Sequence, residues 1–222
     1  MHRRVIVCDY GKPIYKASSP VALLAVLERC IEGCESLHKN AGMLQRDISI
    51  NNLMMNEEED SLSWKSFVID LHLAIKEQRE GLSGANGKTG TRSFMAIGVL
   101  LGKGHSYMHD CESFFWVPFW ICIHCNGPNE QRVVPRYEKW KYMDMVELAV
   151  MKRGEISGET DFLEAAQEHF TPYYQPLIRC VNKLRKVVFP NGLRWEKPNP
   201  SLFFDMKETL QVAREELKIS AE

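Results

Sequence analysis

The stretch that most limits what this chain can fold into is Phe114 to Cys125, Phe-Phe-Trp-Val-Pro-Phe-Trp-Ile-Cys-Ile-His-Cys. It is too short for a membrane span, which needs about 20 apolar residues, and it carries a proline and a histidine. It reads as a buried core helix. His109-Asp110-Cys111-Glu112-Ser113 leads into it, with Asp110 placed to act as a helix N-cap.

Other segments offer apolar faces to cover this helix. Ser18-Ser19-Pro20 has the look of a helix start, a Ser cap with Pro at the first helical position. Leu23, Leu27, Ile31 and Cys34 follow at helical spacing, and Gly42 marks the end. Later, Tyr137 to Met151, Phe162 to Phe170, Tyr174 to Val188 and Leu202 to Lys218 read as further helices. Pro190-Asn191-Gly192 and Pro198-Asn199-Pro200 break them. Ahead of the first helix, Val5 to Cys8 is a short apolar strand closed by a turn at Asp9 to Pro13.

Strands are few. Asn52 to Asn56 and Trp64 to Ile69 form a hairpin around the turn Glu57-Glu58-Glu59-Asp60, where crowded like charges favour solvent. Polar clusters flank it: Gln45-Arg46-Asp47-Ile48-Ser49-Ile50-Asn51-Asn52 before, Asp70-Leu71-His72 after. The hairpin brings Asp47, Asn52 and Asp70 to one end. Three hard oxygen donors there suit magnesium, which takes one or two carboxylates plus substrate phosphates. Phosphoryl transfer also needs a carboxylate that orients the attacking hydroxyl. Asp and Asn before strands also serve as plain turn residues, and both readings stand at this point.

Composition narrows the classes. The chain has 222 residues, 45% hydrophobic and 26% charged, with net charge −1. That is ordinary for a soluble globular protein and gives no global field to recruit nucleic acid or an acidic membrane. Seven cysteines, without a regular framework or a signal peptide, suggest reduced thiols and an intracellular setting, cytoplasm or nucleus. Cys122-Ile123-His124-Cys125 lacks the further ligands that zinc needs. Cys30 and Cys34, one helical turn apart, could in principle join, but read as small buried apolar side chains. Gly87-Lys88-Thr89 lacks the preceding glycine of a phosphate loop, since position 82 is leucine.

Taken together, R-D-I-S-x-N-N, I-D-x-x-L-A, T-G-T-R-x-F-M-A and H-D-x-E-S-F-F-W-V resemble the fungal-type protein kinases. The resemblance runs over roughly residues 3 to 152. Q-R-D-I-S-I-N-N stands where protein kinases carry H-R-D-x-x-x-x-N, and D-L-H where they carry D-F-G. The implied fold is mainly α (α+β): the C-terminal lobe of a protein-kinase-like fold, helical with a small β-hairpin at the catalytic loop. Residues 1–16 would be hinge strand and turn, 17–150 catalytic core, and 151–222 a helical C-terminal part, all one lobe.

The resemblance also implies roles. Asp47 would be the catalytic base, Arg46 would brace the activation segment, and Ser49 would stand where other kinases place a lysine near the transferred phosphate. Asn52 and Asp70 would hold Mg2+, with ATP as the phosphoryl donor. Gly90 and Thr91 would close the activation segment beside a protein substrate. Asp110 and Ser113 would support the catalytic loop. Gln45 replaces a histidine that mainly packs and hydrogen-bonds, and Leu71-His72 replaces Phe-Gly, which removes a glycine's backbone freedom.

No G-x-G-x-x-G lies before Asp47, so the small lobe that covers the phosphates is missing from this text. The expected function is ATP-dependent transfer to protein Ser/Thr hydroxyls, weak or absent in this chain alone. A pseudokinase-like binding module, with a partner over the open inter-lobe face, is the alternative. A small-molecule phosphotransferase would share the base and magnesium logic, but the Gly90-Thr91 segment argues for peptide acceptors.

Overall fold

The computed structural model describes residues 10–77 and 90–219. The strand expected at Val5 to Cys8 and the Gly87-Lys88-Thr89 stretch lie outside these residues.

Helix α1, Pro20–Ala41, starts where the sequence places it: the Ser19 side chain accepts from Ala22 N at 3.1 Å and Pro20 takes the first helical position. It ends at Gly42, whose φ of 62° is the left-handed conformation that glycine adopts without a Cβ penalty. Leu23, Leu27, Cys30, Ile31 and Cys34 are buried. They pack against the last helix, α8 (Leu202–Ile219), and against the hairpin. The ion pairs Glu35–Lys207, at 2.6 Å, and Glu28–Arg214 fix the α1–α8 pairing.

The apolar run is the centre of helix α3, Tyr107–His124, in which every residue from Asp110 to His124 is buried. A helix apolar on all sides must be enclosed. Here α1, α6 (Glu159–His169), α7 (Ile178–Val188) and α8 enclose it. Its aromatic residues form edge-to-face clusters: Phe115 with Phe189 at 5.2 Å, Trp116 with Trp140 at 5.5 Å, Phe119 with Tyr137 at 5.5 Å. Burying each such ring stabilises by about 1.5–3 kcal/mol. Pro118 sits inside the helix and costs it one backbone hydrogen bond. The helix is capped by Ser106 in a capping box with His109, so Asp110 lies beyond the cap and is free for another role.

The sheets are small. β3 (Leu53–Met55) and β4 (Ser66–Val68) pair antiparallel with Leu53 opposite Val68, the expected hairpin with shorter strands. Lys12–Pro13, read from sequence as a turn, forms β1 and pairs with Met55 and Met54 on the other side of β3. β2 (Met43–Leu44) pairs with β5 (Ile75–Lys76) in a second sheet that the sequence did not reveal.

The expected single helix from Tyr137 to Met151 is two elements. A short α4, Pro135–Glu138, runs into a 3-10 turn at Lys139–Lys141, and α5 spans Met145–Ser157. Asp144 caps α5, its side chain accepting from Val146 N at 2.7 Å. The new start at Asp144 puts the two segments out of helical phase. Trp140 is buried, whereas Val146 and Val150 are 55% and 60% exposed; Leu148, Ala149, Lys152 and Ile156 face inward instead. A 3-10 turn at Gln175–Leu177 precedes α7, which begins at Ile178 rather than Tyr174. The six described cysteines are free and buried; burial pushes the Cys30 thiol up to about 12, which makes it inert. Among the described residues no helix is long and apolar enough to cross a membrane.

Candidate functional site

The site is assembled around the buried amide of Gln45. Its Oε1 accepts from the backbone N–H of Asp47 at 2.6 Å. Its Nε2 donates to the carbonyls of Ile69 and Asp70, both at 3.3 Å. One side chain therefore ties together the two loops that carry the aspartates. An amide can do this because it holds a donor and an acceptor in one plane.

The same loop is held from below by α3. Asp110 accepts from Gln45 N at 2.9 Å through Oδ2 and from Arg46 N at 3.1 Å through Oδ1. His105 Nε2 lies 2.7 Å from Oδ1. Arg46 needs this support: its φ is 73°, a left-handed conformation that costs a non-glycine residue roughly 1–2 kcal/mol. Its guanidinium donates to the Leu73 carbonyl at 3.4 Å. Ser113 is not brought into the site, since its hydroxyl donates to His109 O within α3.

Both oxygens of Asp47 are engaged. Oδ1 accepts from Thr91 N at 2.8 Å and from Thr91 Oγ1 at 3.0 Å. Asn52 Nδ2 donates to Oδ2 at 3.1 Å and to the Asp47 carbonyl at 2.9 Å. A carboxylate has about four lone-pair sites, so Oδ2 keeps acceptor capacity. Gly90 allows the close approach of Thr91: with φ of 112°, it lies where a Cβ would stand 2.9 Å from Arg46 O. Ser49 is buried, and its carbonyl accepts from Asn52 and Leu53.

Asp70 follows β4 and is exposed. Ile69 N donates to Asn52 O at 2.9 Å, which continues the hairpin register as far as the residue before Asp70. Asp70 has φ 62° and ψ 65°. Its Oδ1 contacts His72 Nδ1, and that hydrogen bond holds the carboxyl below its ordinary value.

The hard donors fit magnesium. Asn52 commits Nδ2 to Asp47, which leaves Oδ1 uncommitted, and Asp70 stays ionised and open to solvent. Among the described residues no three His, Cys, Asp or Glu side chains cluster into a closed metal site.

Sequence reasoning placed Gln45 in the loop but not its bridge, and it missed His105, Glu112 and Lys152. The bridging by Gln45 and the His105–Asp110 contact have no local signature. The Asp-Leu-His text did hold the Asp70–His72 pair. On the far side of Thr91, Glu112 Oε1 accepts from Ile97 N at 2.6 Å and Lys152 Nζ donates to Met95 O at 2.6 Å. A lysine inside an apolar helix face was the only hint of the last.

A family model described as fungal protein kinase matches residues 1–122. The match ends within α3, short of the 3 to 152 expected from the motifs. No curated protein matches the chain.

Proposed function

The chain belongs to the fungal protein kinase family, and from that premise we propose that it carries the catalytic-loop half of a phosphotransfer site acting on protein Ser/Thr hydroxyls. The observation that carries this reading is the Gln45 bridge. It ties the Asp47 backbone to the carbonyls of Ile69 and Asp70, while Asn52 donates to Asp47.

In this reading Asp47 Oδ2 receives the hydrogen bond of the acceptor hydroxyl, orients it and takes its proton as transfer proceeds. Thr91 keeps Oδ1 occupied, so only one oxygen faces the acceptor. Asn52 Oδ1 and the Asp70 carboxylate would hold Mg2+, and ATP would supply the phosphoryl group. Bound there, the metal supplies neutralisation of phosphate charge. Asp110 and Gln45 position the loop and touch no reacting atom.

The test is magnesium-dependent nucleotide binding measured by calorimetry, with transfer from labelled ATP to a Ser-containing peptide. Asp70→Asn should weaken nucleotide binding at least about tenfold, because one charge-assisted contact of roughly 1.5–3 kcal/mol is lost. Asp47→Asn should abolish transfer and leave binding intact. A wild-type chain that binds nucleotide equally well with and without magnesium would overturn the reading.

One observation favours a second reading, a binding module without catalysis. Ile69 and Leu71, on either side of Asp70, are 38% and 47% exposed, and Trp64 is 73% exposed. Apolar side chains grouped beside a site suit a covering partner. A chain that binds no nucleotide but is protected at these residues by another protein would support it.

A further inference from the structure

In the three-stranded sheet β4 is an outer strand, with β3 on one side and no described strand on the other. The ladder fixes which way its backbone points. Asn56 N donates to Lys65 O and Ile69 N to Asn52 O, each at 2.9 Å. Residues 65, 67 and 69 therefore turn their N–H and C=O groups towards β3. Antiparallel pairing alternates, so Ser66 and Val68 turn theirs outward, where no backbone group of the described residues meets them. An unpaired row of this kind is a template for another strand.

Beside that edge runs a groove of about 680 Å³. One wall is β4 with Trp64 and Leu71, and the other is α1, with Arg29, Gly33 and Leu37. Trp64 and Leu71 are largely open to solvent. Gly33 stands exposed inside α1, and nothing lies within 4 Å of where its Cβ would be. A glycine inside a helix destabilises it relative to alanine, and no contact among the described residues accounts for this one. Absence of a side chain in a groove wall suits the close approach of another chain.

We propose that this groove takes an extended segment of a partner polypeptide, which adds a strand to the outer edge of β4 and seats an apolar side chain over Gly33. The inference is independent of the phosphotransfer reading. Ser66 and Val68 offer the N–H and C=O groups that strand addition uses, and the groove selects every second side chain. Cys30 and Cys34, buried on the α1 wall, give a polar side chain nothing to replace water. Arg29 is exposed on the same wall and has no ion pair among the described residues. It lies four residues before Gly33, about 6 Å along the helix, and two strand residues span about 6.6 Å. The segment therefore carries Asp or Glu two places from the apolar residue. A second copy does not fit, because its own β4 is flanked by α1 in the same way.

The probe is a phage-displayed library of random peptides of about ten residues, the length of a long strand, selected on the 222-residue chain. Selected peptides should place apolar residues at alternate positions, with Asp or Glu two places from one of them. Gly33→Leu extends into open space, should leave the fold intact and should weaken binding at least about tenfold. Two further readouts use the wild-type chain. N-methylation of every second peptide amide should abolish binding in one phase and be tolerated in the other. The Ser66 and Val68 amides should exchange with solvent faster than that of Phe67 in the free chain, and become protected when peptide binds. The proposal is overturned if no peptide is selected or none is weakened by Gly33→Leu. It is also overturned if both N-methyl phases are tolerated, or if peptide leaves the two amides unprotected. A chain that dimerises by itself, and that Gly33→Leu makes monomeric, assigns the groove to a second copy and overturns the partner.

Discussion

Asp110 and Glu112 stand two residues apart on α3, which at roughly 100° per residue turns them to opposite faces. Each is a buried carboxylate that fastens a different loop of the same site. Asp110 holds the loop before Asp47 through both oxygens, taking Gln45 N and Arg46 N. Glu112 holds the stretch after Thr91 through one oxygen, taking Ile97 N and Trp116 Nε1. Their surroundings differ. Asp110 is met by backbone N–H groups and His105. Glu112 lies fully enclosed near Lys152, whose ammonium sits 4.5 Å from the Trp116 ring centroid and 5.4 Å from that of Trp140. Burial pushes Glu112 up and Lys152 down from their ordinary values, the attraction between them opposing both shifts. Asp110 uses both oxygens on directed backbone N–H groups, whereas Glu112 takes its donors on one oxygen and has the Lys152 charge nearby, so its charge can be removed together with that of Lys152 while the hydrogen bonds stay.

The largest expected effect lies on the Asp110 side. Asp110→Ala leaves two backbone donors unmet, each worth about 1–3 kcal/mol, so urea unfolding should show a loss of about 3 kcal/mol. Asp110→Asn should do little better, because an amide turns one NH2 towards an N–H. If Asp110→Asn is neutral, the two-oxygen grip is not what matters.

The Glu112 side should give way less. Lys152→Met leaves Glu112 buried without its cation and is expected to cost about 2–3 kcal/mol, below the usual 3–5 for a broken buried pair because Glu112 can take a proton. Adding Glu112→Gln should recover most of this, since a Gln carbonyl still accepts from Ile97 N. A double variant no better than the single would erase the contrast between the two carboxylates.

A smaller steric test probes the same side. Gly98, in the short helix α2 (Ile97–Leu100) that follows the Glu112 contact, lies against the His109 ring and Arg194. Gly98→Ala should cost about 1–2 kcal/mol by overpacking, read as a lower urea midpoint. The phosphotransfer proposed for Asp47 should be unchanged if Asp110 alone sets that loop.

The smallest effect is a pH dependence. Burial, aided by His105, lowers His109 from 6.5 to about 4. The unfolded chain takes this proton near pH 6.5 and the folded chain only near pH 4. The stabilisation is complete above pH 6.5 and declines as pH falls towards 4, by about 1.4 kcal/mol at pH 5.5. His109→Gln should flatten that part of the stability profile. His124, lowered to about 4 as well, leaves a residual slope in the same direction.

Much of this was legible in the residues. The buried helix followed from an apolar run too short for a membrane. Helix α1 followed from a Ser-Pro start and a Gly stop, because caps act through their immediate neighbours. The hydrogen bond between Asn52 and Asp47 joins two residues that the hairpin spacing places at one end. What failed did so where periodicity crossed a hidden boundary, as at Asp144, or where pairing joined residues far apart, as in the β2–β5 sheet.

The sequence by itself determined which segments are helical, which helix is central, and which polar residues sit at the ends of the hairpin. Those are local matters of capping, period and turn chemistry. Only the tertiary structure decided that the Gln45 amide would join two loops, that Asp110 and Lys152 would be buried as anchors, and that Gly33 would wall a groove beside β4. Such contacts depend on where a side chain's donors and acceptors end up after packing, and a hydrogen bond formed across 65 positions of chain, as between Gln45 and Asp110, leaves no periodic trace in the sequence.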